Sequence, residues 1–150
     1  MIDLDTHEGN GTWELVANDT RFSIFDLSGA EFGVPEVESD GRVSRLVRNA
    51  ETYFDVLALL PAFIDAARPE LIQFQAGMDC HEDDCVGGVP GLSGERLEER
   101  DAFVFETARS RGVPVVFNLA GGYQGELTVA LHLNTVRVAL GLERPCLDHL

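Results

Sequence analysis

Lysine does not occur in this sequence; all eleven basic residues are arginine. Against them stand 26 acidic residues, giving a formal net charge of −15. With so little positive charge, nothing can neutralise a row of phosphates, which excludes a nucleic-acid partner. Long apolar runs are also missing. None approaches the ~20 residues that a bilayer-crossing helix needs, so no membrane span is expected. The start, "MIDLDTHEGN", has neither a basic stretch nor a greasy one, and reads as no signal peptide. Cysteine is scarce and odd in number (Cys80, Cys85, Cys146), which makes no disulfide framework and points to a reducing cytoplasm. Internal repeats and low-complexity tracts are absent. Arginine without lysine fits a GC-rich or salt-adapted source. The acidic surface would attract a cationic ligand, such as a lysine-rich peptide or a polyamine, and is also what a generally acidic proteome produces.

What is present suffices for one domain: 150 residues, 45% of them hydrophobic. Ile2 to Asp5 reads as a short strand running into the loop "THEGNG". "RFSIFDL", Arg21 to Leu27, alternates as a second strand, and "RLVRN" is a weaker third. From Ala50 to Ala67 the apolar positions Tyr53, Phe54, Val56, Leu57, Leu60, Phe63 and Ile64 recur at helical spacing. Pro69 then breaks into the strand "LIQFQAG". A helix from Ser93 or Gly94 to Gly112 is expected to bury Leu97, Ala102, Val104, Phe105 and Ala108. "VPVVFNLAGG" is a strand ending in glycines, and a last helix, Glu126 to Leu140, stops at Gly141 with Pro145 just beyond. Strand and helix in alternation mean a parallel α/β sheet, here of about five strands. Ligands bind such sheets at the carboxyl ends of the strands. The three chemically loaded stretches, "DTHEGNG", "MDCHEDD" and "GGY", all fall there.

Asp5 and His7 stand two apart, so at a strand end a carboxylate and an imidazole point the same way. A third oxygen ligand from another strand end would complete a catalytic zinc site with one open position, and Asp79 is the candidate. Tyr123 would offer a phenolic donor to an oxyanion, and Gly121 and Gly122 would let backbone approach a substrate closely. "DCHEDDC" also permits a structural zinc on Cys80, His81 and Cys85, since thiolates suit that metal. Adjacent residues chelate poorly, however, and no second cysteine pair lies nearby. His132, among apolar residues of the last helix, reads as a packed or surface histidine, and His149 as part of a tail.

Together "IDLDTHEGNG", "AGMDCHEDDCVGGVPGLS" and "VPVVFNLAGGYQ" resemble the signature segments of zinc-dependent histone deacetylases in the arginase/deacetylase superfamily. "RFSIFDLSG" and "LSGERLEERDAFVFETARSRGVPVV" resemble the class IV branch and its bacterial members most closely. The resemblance implies a three-layer fold of the arginase/deacetylase type and hydrolysis of an N-acetyl amide, in an acetyl-lysine peptide or a small acetylated amine. It implies zinc on Asp5, His7 and Asp79, and Tyr123 as donor to the acetyl oxygen. Asp3 and Asn10 match positions that orient the two active-site histidines, and Asp84 matches an acid that supports its loop. Main-chain carbonyls around Asp3 to His7, with the strand end at Asp26-Leu27, match a structural potassium site, although the family often has Ser where Asp26 stands. An arginase-type pair of manganese ions would need a D-x-H-x-D pattern, and Gly9 occupies the second Asp position.

The family takes its general base from a tandem His pair upstream of the zinc strand, and this sequence has no adjacent histidines. Residues 1–150 are therefore expected to be a single truncated domain, the C-terminal half of a deacetylase, inactive alone and partnered by the missing N-terminal half. An interrupted gene, a misplaced start and a split protein all fit. So does a non-catalytic fragment or interaction module retaining the fold. One sheet edge and some helix faces would then be exposed.

Overall fold

The computed structural model describes residues 1–39 and 41–142. Its elements, in chain order, are β1 (Ile2–Asp3), α1 (Asn10–Leu15), β2 (Ile24–Ser28), β3 (Val37–Ser39) and β4 (Arg42–Leu46). Then follow α2 (Ala50–Leu57), α3 (Leu60–Ala67), β5 (Ile72–Gly77), α4 (Gly94–Ser110), β6 (Val115–Ala120) and α5 (Glu126–Ala139). The strands form one sheet in the order β3-β4-β2-β1-β5-β6, parallel except for the β3–β4 hairpin. That hairpin supplies the strand not foreseen. It turns at Gly41, whose φ of +79° suits glycine.

Register sorts the side chains onto two faces. Ile2 pairs with Phe25 and Phe74, and Phe74 with Phe117. These face the helices, where Phe63 of α3 meets Phe25 at 5.4 Å and Phe105 of α4 lies edge-on between Phe74 and Phe117. The opposite face carries a polar row, Ser44, Asp26, Asp3, Gln75 and Asn118, by the same register. Over its first half this face is closed, and the Trp13 indole of α1 donates to Asp26 at 2.8 Å. Toward β6 it opens: Gln73, Val116 and Asn118 are exposed. One edge of the sheet is β6, where Val116 and Leu119 are about half exposed, and Val129 and Leu133 of α5 are similarly exposed.

Several boundaries differ from expectation for identifiable reasons. The single helix over 50–67 is two, because Pro61 near the start of α3 has no N–H for the preceding turn and suits a helix's first positions. Asn49 starts α2, its side chain accepting from the Thr52 amide at 2.9 Å, and Ser93 starts α4 likewise. Part of the "THEGNG" loop, with the residues after it, winds into α1. On α4, Ala102 is only half-buried, while Arg100, Asp101 and Thr107 are buried. Cys146, Pro145 and His149 lie outside the described residues. No helix among the described residues is long and apolar enough to cross a membrane.

Candidate metal centre

Strand β1 stops at Asp3, so Asp5 and His7 do not converge through strand alternation. The loop does it instead. The Asp5 amide donates to Asp3 Oδ1 at 3.2 Å, and the His7 amide to Asp5 Oδ1 at 3.0 Å, folding the imidazole back over the Asp5 carboxylate. His7 Nδ1 then lies 3.1 Å from Asp5 Oδ1 and 2.9 Å from Asp79 Oδ2. Asp79 arrives from the end of the neighbouring strand β5, and its Oδ1 accepts from the Thr6 amide at 3.0 Å. One ligand atom from each of Asp5, His7 and Asp79 falls within 4.8 Å of the others, the single such group among the described residues. An imidazole nitrogen and two carboxylates make a donor set suited to a divalent cation.

Asp79 is fully buried, and burial followed by the Asp5 charge pushes its carboxyl up to about 6 despite the Thr6 hydrogen bond. A buried carboxylate held against its preference is what a bound cation would relieve. Glycines shape the wall. A Cβ on Gly121, at φ +44°, would sit 2.4 Å from Asp79 Cγ and 2.6 Å from Asp5 Oδ2. One on Gly77 would sit 2.5 Å from Asp5 Cα. Gly121→Ala is accordingly expected to displace the carboxylates and weaken metal binding about 100-fold, which a chelator-competition titration checks.

Tyr123 follows this wall on the rim, 54% exposed, its amide donating to Asp84 Oδ2 at 2.8 Å. Partial desolvation, then the charges of Asp79, Asp5 and Asp84, raise its phenol pKa, which keeps the hydroxyl a proton donor. Asp84 does support its loop, with Oδ1 accepting from the Val86 and Gly87 amides. Gly122 approaches Thr128 rather than the triad.

Asp3 is buried facing Asp26, and desolvation with the Asp26 charge raises it to about 8. Its Oδ1 accepts from the Asp5 amide. Asn10 is exposed at the start of α1, its side chain accepting from the Gly11 amide. Asp26 lies in the middle of β2 rather than at its end. Its Oδ2 accepts from the Gly9 amide and the Trp13 indole, and Oδ1 is buried without a partner among the described residues. The Cys80/His81/Cys85 alternative fails: Cys80 points inward to the Leu4 and Gly77 carbonyls, whereas Cys85 is exposed. His132 is half-buried, 3.2 Å from the Gly121 carbonyl. Phe32, 5.4 Å from the His7 ring, and Arg100 beneath the strand ends were not anticipated. No spacing signal marks either residue.

Comparison with known proteins bears on this geometry. Residues 1–138 match the family model described as the histone deacetylase domain. The chain is 30% identical over 129 residues to histone deacetylase 2 of Arabidopsis thaliana, covering 82% of this chain and 33% of that protein. It is 27% identical over 136 residues to an uncharacterized protein of Picosynechococcus sp., covering 82% of this chain and 42% of the other. The fold matches the crystal structure of an acetylpolyamine aminohydrolase from Burkholderia pseudomallei with a TM-score of 0.70 and 16% identity, over 93% of this chain and 43% of that one. The chain thus spans less than half the length of each of these proteins.

Proposed function

The chain belongs to the histone deacetylase domain family, a family of hydrolases, and from that premise we propose that it carries the metal-binding part of a class IV-like, zinc-dependent amide hydrolase. The substrate is an acetyl-lysine peptide or a small acetylated amine. The observation that carries this reading is the convergence of Asp5, His7 and Asp79 at the carboxyl ends of adjacent parallel strands. These three residues would hold zinc, which when bound supplies Lewis-acid polarisation of the amide carbonyl and a water of lowered pKa. The protein's own contributions follow from their hydrogen bonds. Thr6 fixes one Asp79 oxygen and leaves the other free to ligate. The Asp84 carboxylate holds the Tyr123 backbone at the rim, where the phenol donates to the developing oxyanion. The acidic surface favours an acetylated amine that keeps other cationic nitrogens.

A proton acceptor for the attacking water is the part that these residues do not supply. The four histidines are His7, His81, His132 and His149, none adjacent to another. His7 is committed to the triad, and His81 accepts from the Asp83 amide. The family's His pair would therefore come from the remaining part of the deacetylase fold. The second reading is a non-catalytic module that keeps the fold and the metal.

Two measurements test the proposal. Elemental analysis should find close to one zinc per purified chain. Hydrolysis of acetyl-lysine peptide and acetylpolyamine should appear when a polypeptide carrying the tandem-His part of a relative is added. In that assay Tyr123→Phe should lower kcat about 100-fold with KM little changed. A folded chain without zinc would sink the hydrolase reading. Zinc without complemented activity would leave the non-catalytic module.

A further inference from the structure

The largest fully buried side chain among the described residues is Arg100, on α4. A buried guanidinium is costly, and replacing such a group and its partner with apolar residues is often neutral or stabilising. Arg100 therefore needs an explanation beyond stability, and its contacts supply one. Nη1 donates to the Gly77 carbonyl at 2.7 Å and the Leu4 carbonyl at 3.3 Å, and reaches Cys80 Sγ at 3.2 Å. Nη2 lies 3.9 Å from Met78 Sδ. Leu4 immediately precedes Asp5, and Met78 and Cys80 flank Asp79. Every one of these contacts thus lies within two residues of a metal-ligand candidate.

The two strands lose their ladder at this point. The Leu4 amide donates to the Gln75 carbonyl at 3.1 Å, and the carbonyls of Leu4 and Gly77 beyond it both accept from Arg100. One nitrogen of the guanidinium spans the gap between the strands where sheet bonding ends. The fork itself is fixed from behind. Nε and Nη2 meet Asp101 Oδ1 at 2.8 and 2.7 Å, and Asp101 Oδ2 accepts from Thr135 of α5 at 2.6 Å. The chain of contacts runs from α5 through Asp101 and Arg100 to both strand ends.

We propose that Arg100 is a positioning residue of the metal centre: it clamps the carboxyl ends of β1 and β5 together at the spacing that lets Asp5 and Asp79 share one ion. The role in metal binding rests on reading the triad as a metal centre; the clamp itself does not. A planar, rigid fork suits two fixed carbonyls and one carboxylate, whereas a lysine ammonium is a single point on a flexible stem. Groups that orient metal ligands without touching the ion commonly change affinity 10- to 100-fold when altered.

The test compares Arg100→Met/Asp101→Asn, which removes both charges together and leaves Thr135 an acceptor, with Phe105→Leu. Phe105 packs α4 on the sheet away from the triad, and so controls for lost stability. In metal-free protein, hydrogen exchange of the Thr6 amide, which bonds Asp79 Oδ1, reads the clamp directly. It should be about tenfold or more faster in the double variant than in the control, at temperatures equally far below their melting points. Zinc should also dissociate about tenfold more readily. Thr6 exchange equal to the control's overturns the proposal, as does unchanged zinc affinity in a parent that binds zinc. If the parent binds none, the metal-centre reading fails while Thr6 exchange still decides the clamp. Should the neutral pair not fold, Arg100→Lys keeps a charge opposite Asp101 and is read in the same way.

Discussion

Asp79→Asn is expected to abolish stoichiometric zinc binding, weakening it about 1,000-fold, or about 4 kcal/mol, without destabilising the metal-free protein. The asparagine has the volume of the carboxylate it replaces. Its amide oxygen can still accept from the Thr6 N–H, the contact that ties the β5 loop to the loop after β1. What it cannot do is offer an anionic oxygen beside His7 Nδ1, now 2.9 Å from Asp79 Oδ2. Its NH2 group faces that position instead, and a metal would keep only Asp5 and His7. The metal-free comparison has the opposite sign. Asp79 is fully buried and its carboxyl is pushed up to about 6, chiefly by desolvation. At pH 8 the fold must hold it ionised against that preference, and the neutral amide removes the penalty. Melting temperature of the metal-free variant at pH 8 should therefore equal or exceed the parent's while zinc is lost. Retention of one zinc per chain, measured by elemental analysis, would show that Asp79 is not a ligand. A large fall in metal-free stability would show that the carboxylate is structural.

Much of this site was legible because its chemistry is carried by residues at the ends of readable strands. "LIQFQAG" becomes β5 within one residue, and the first acid after it is Asp79. Asp5 and His7 were expected together, although a loop hydrogen bond rather than strand alternation joins them. The glycines before Tyr123 were also expected to matter through close approach. Gly121 closes on the carboxylates of Asp5 and Asp79, a contact that needs three segments in space. Arg100 and Asp101 were hidden by context. In "GERLEERDAF" they read as part of a charged face, and periodicity marks only the apolar positions between them. Their burial follows from carbonyls that β1 and β5 leave open, which no local pattern records. Helix α1 was missed because "GNG" carries turn residues, and Pro61 was passed over because the apolar spacing continues across it.

The same buried carboxylates give the metal-free protein an unusual dependence on pH: its stability should fall as pH rises from about 4 to about 6. Asp3 is raised to about 8, and Asp26 and Asp79 to about 6, each mainly by burial. Over that interval the folded protein keeps protons that the unfolded chain, with ordinary carboxylates, has released. The folded state binds more protons, so the unfolding free energy decreases with pH, by about 1.4 kcal/mol per pH unit for each such group. Above pH 6 only Asp3 continues the trend, and the Met1 ammonium opposes it. Burial lowers that amine to about 6, so between 6 and 8 the unfolded chain binds its proton more readily. The curve should therefore flatten above pH 6. Below pH 4 the sign reverses, because the Arg21 contact lowers Asp19 to about 2 and the unfolded chain takes up that proton first. Self-repulsion at a net charge of −15 acts in the same direction as the buried acids but is screened by salt, whereas buried groups are screened much less. Melting curves from pH 4.5 to 6.5 in about 0.5 M NaCl, where the Debye length is only a few ångströms, isolate the buried contribution. Zinc should invert the slope. A ligand carboxylate must be deprotonated to bind, so added zinc should raise the melting temperature more at pH 7 than at pH 5. A metal-free melting temperature that is flat or rising across that interval would mean that Asp3, Asp26 and Asp79 ionise without cost, and that the centre holds no stored charge for a cation to neutralise.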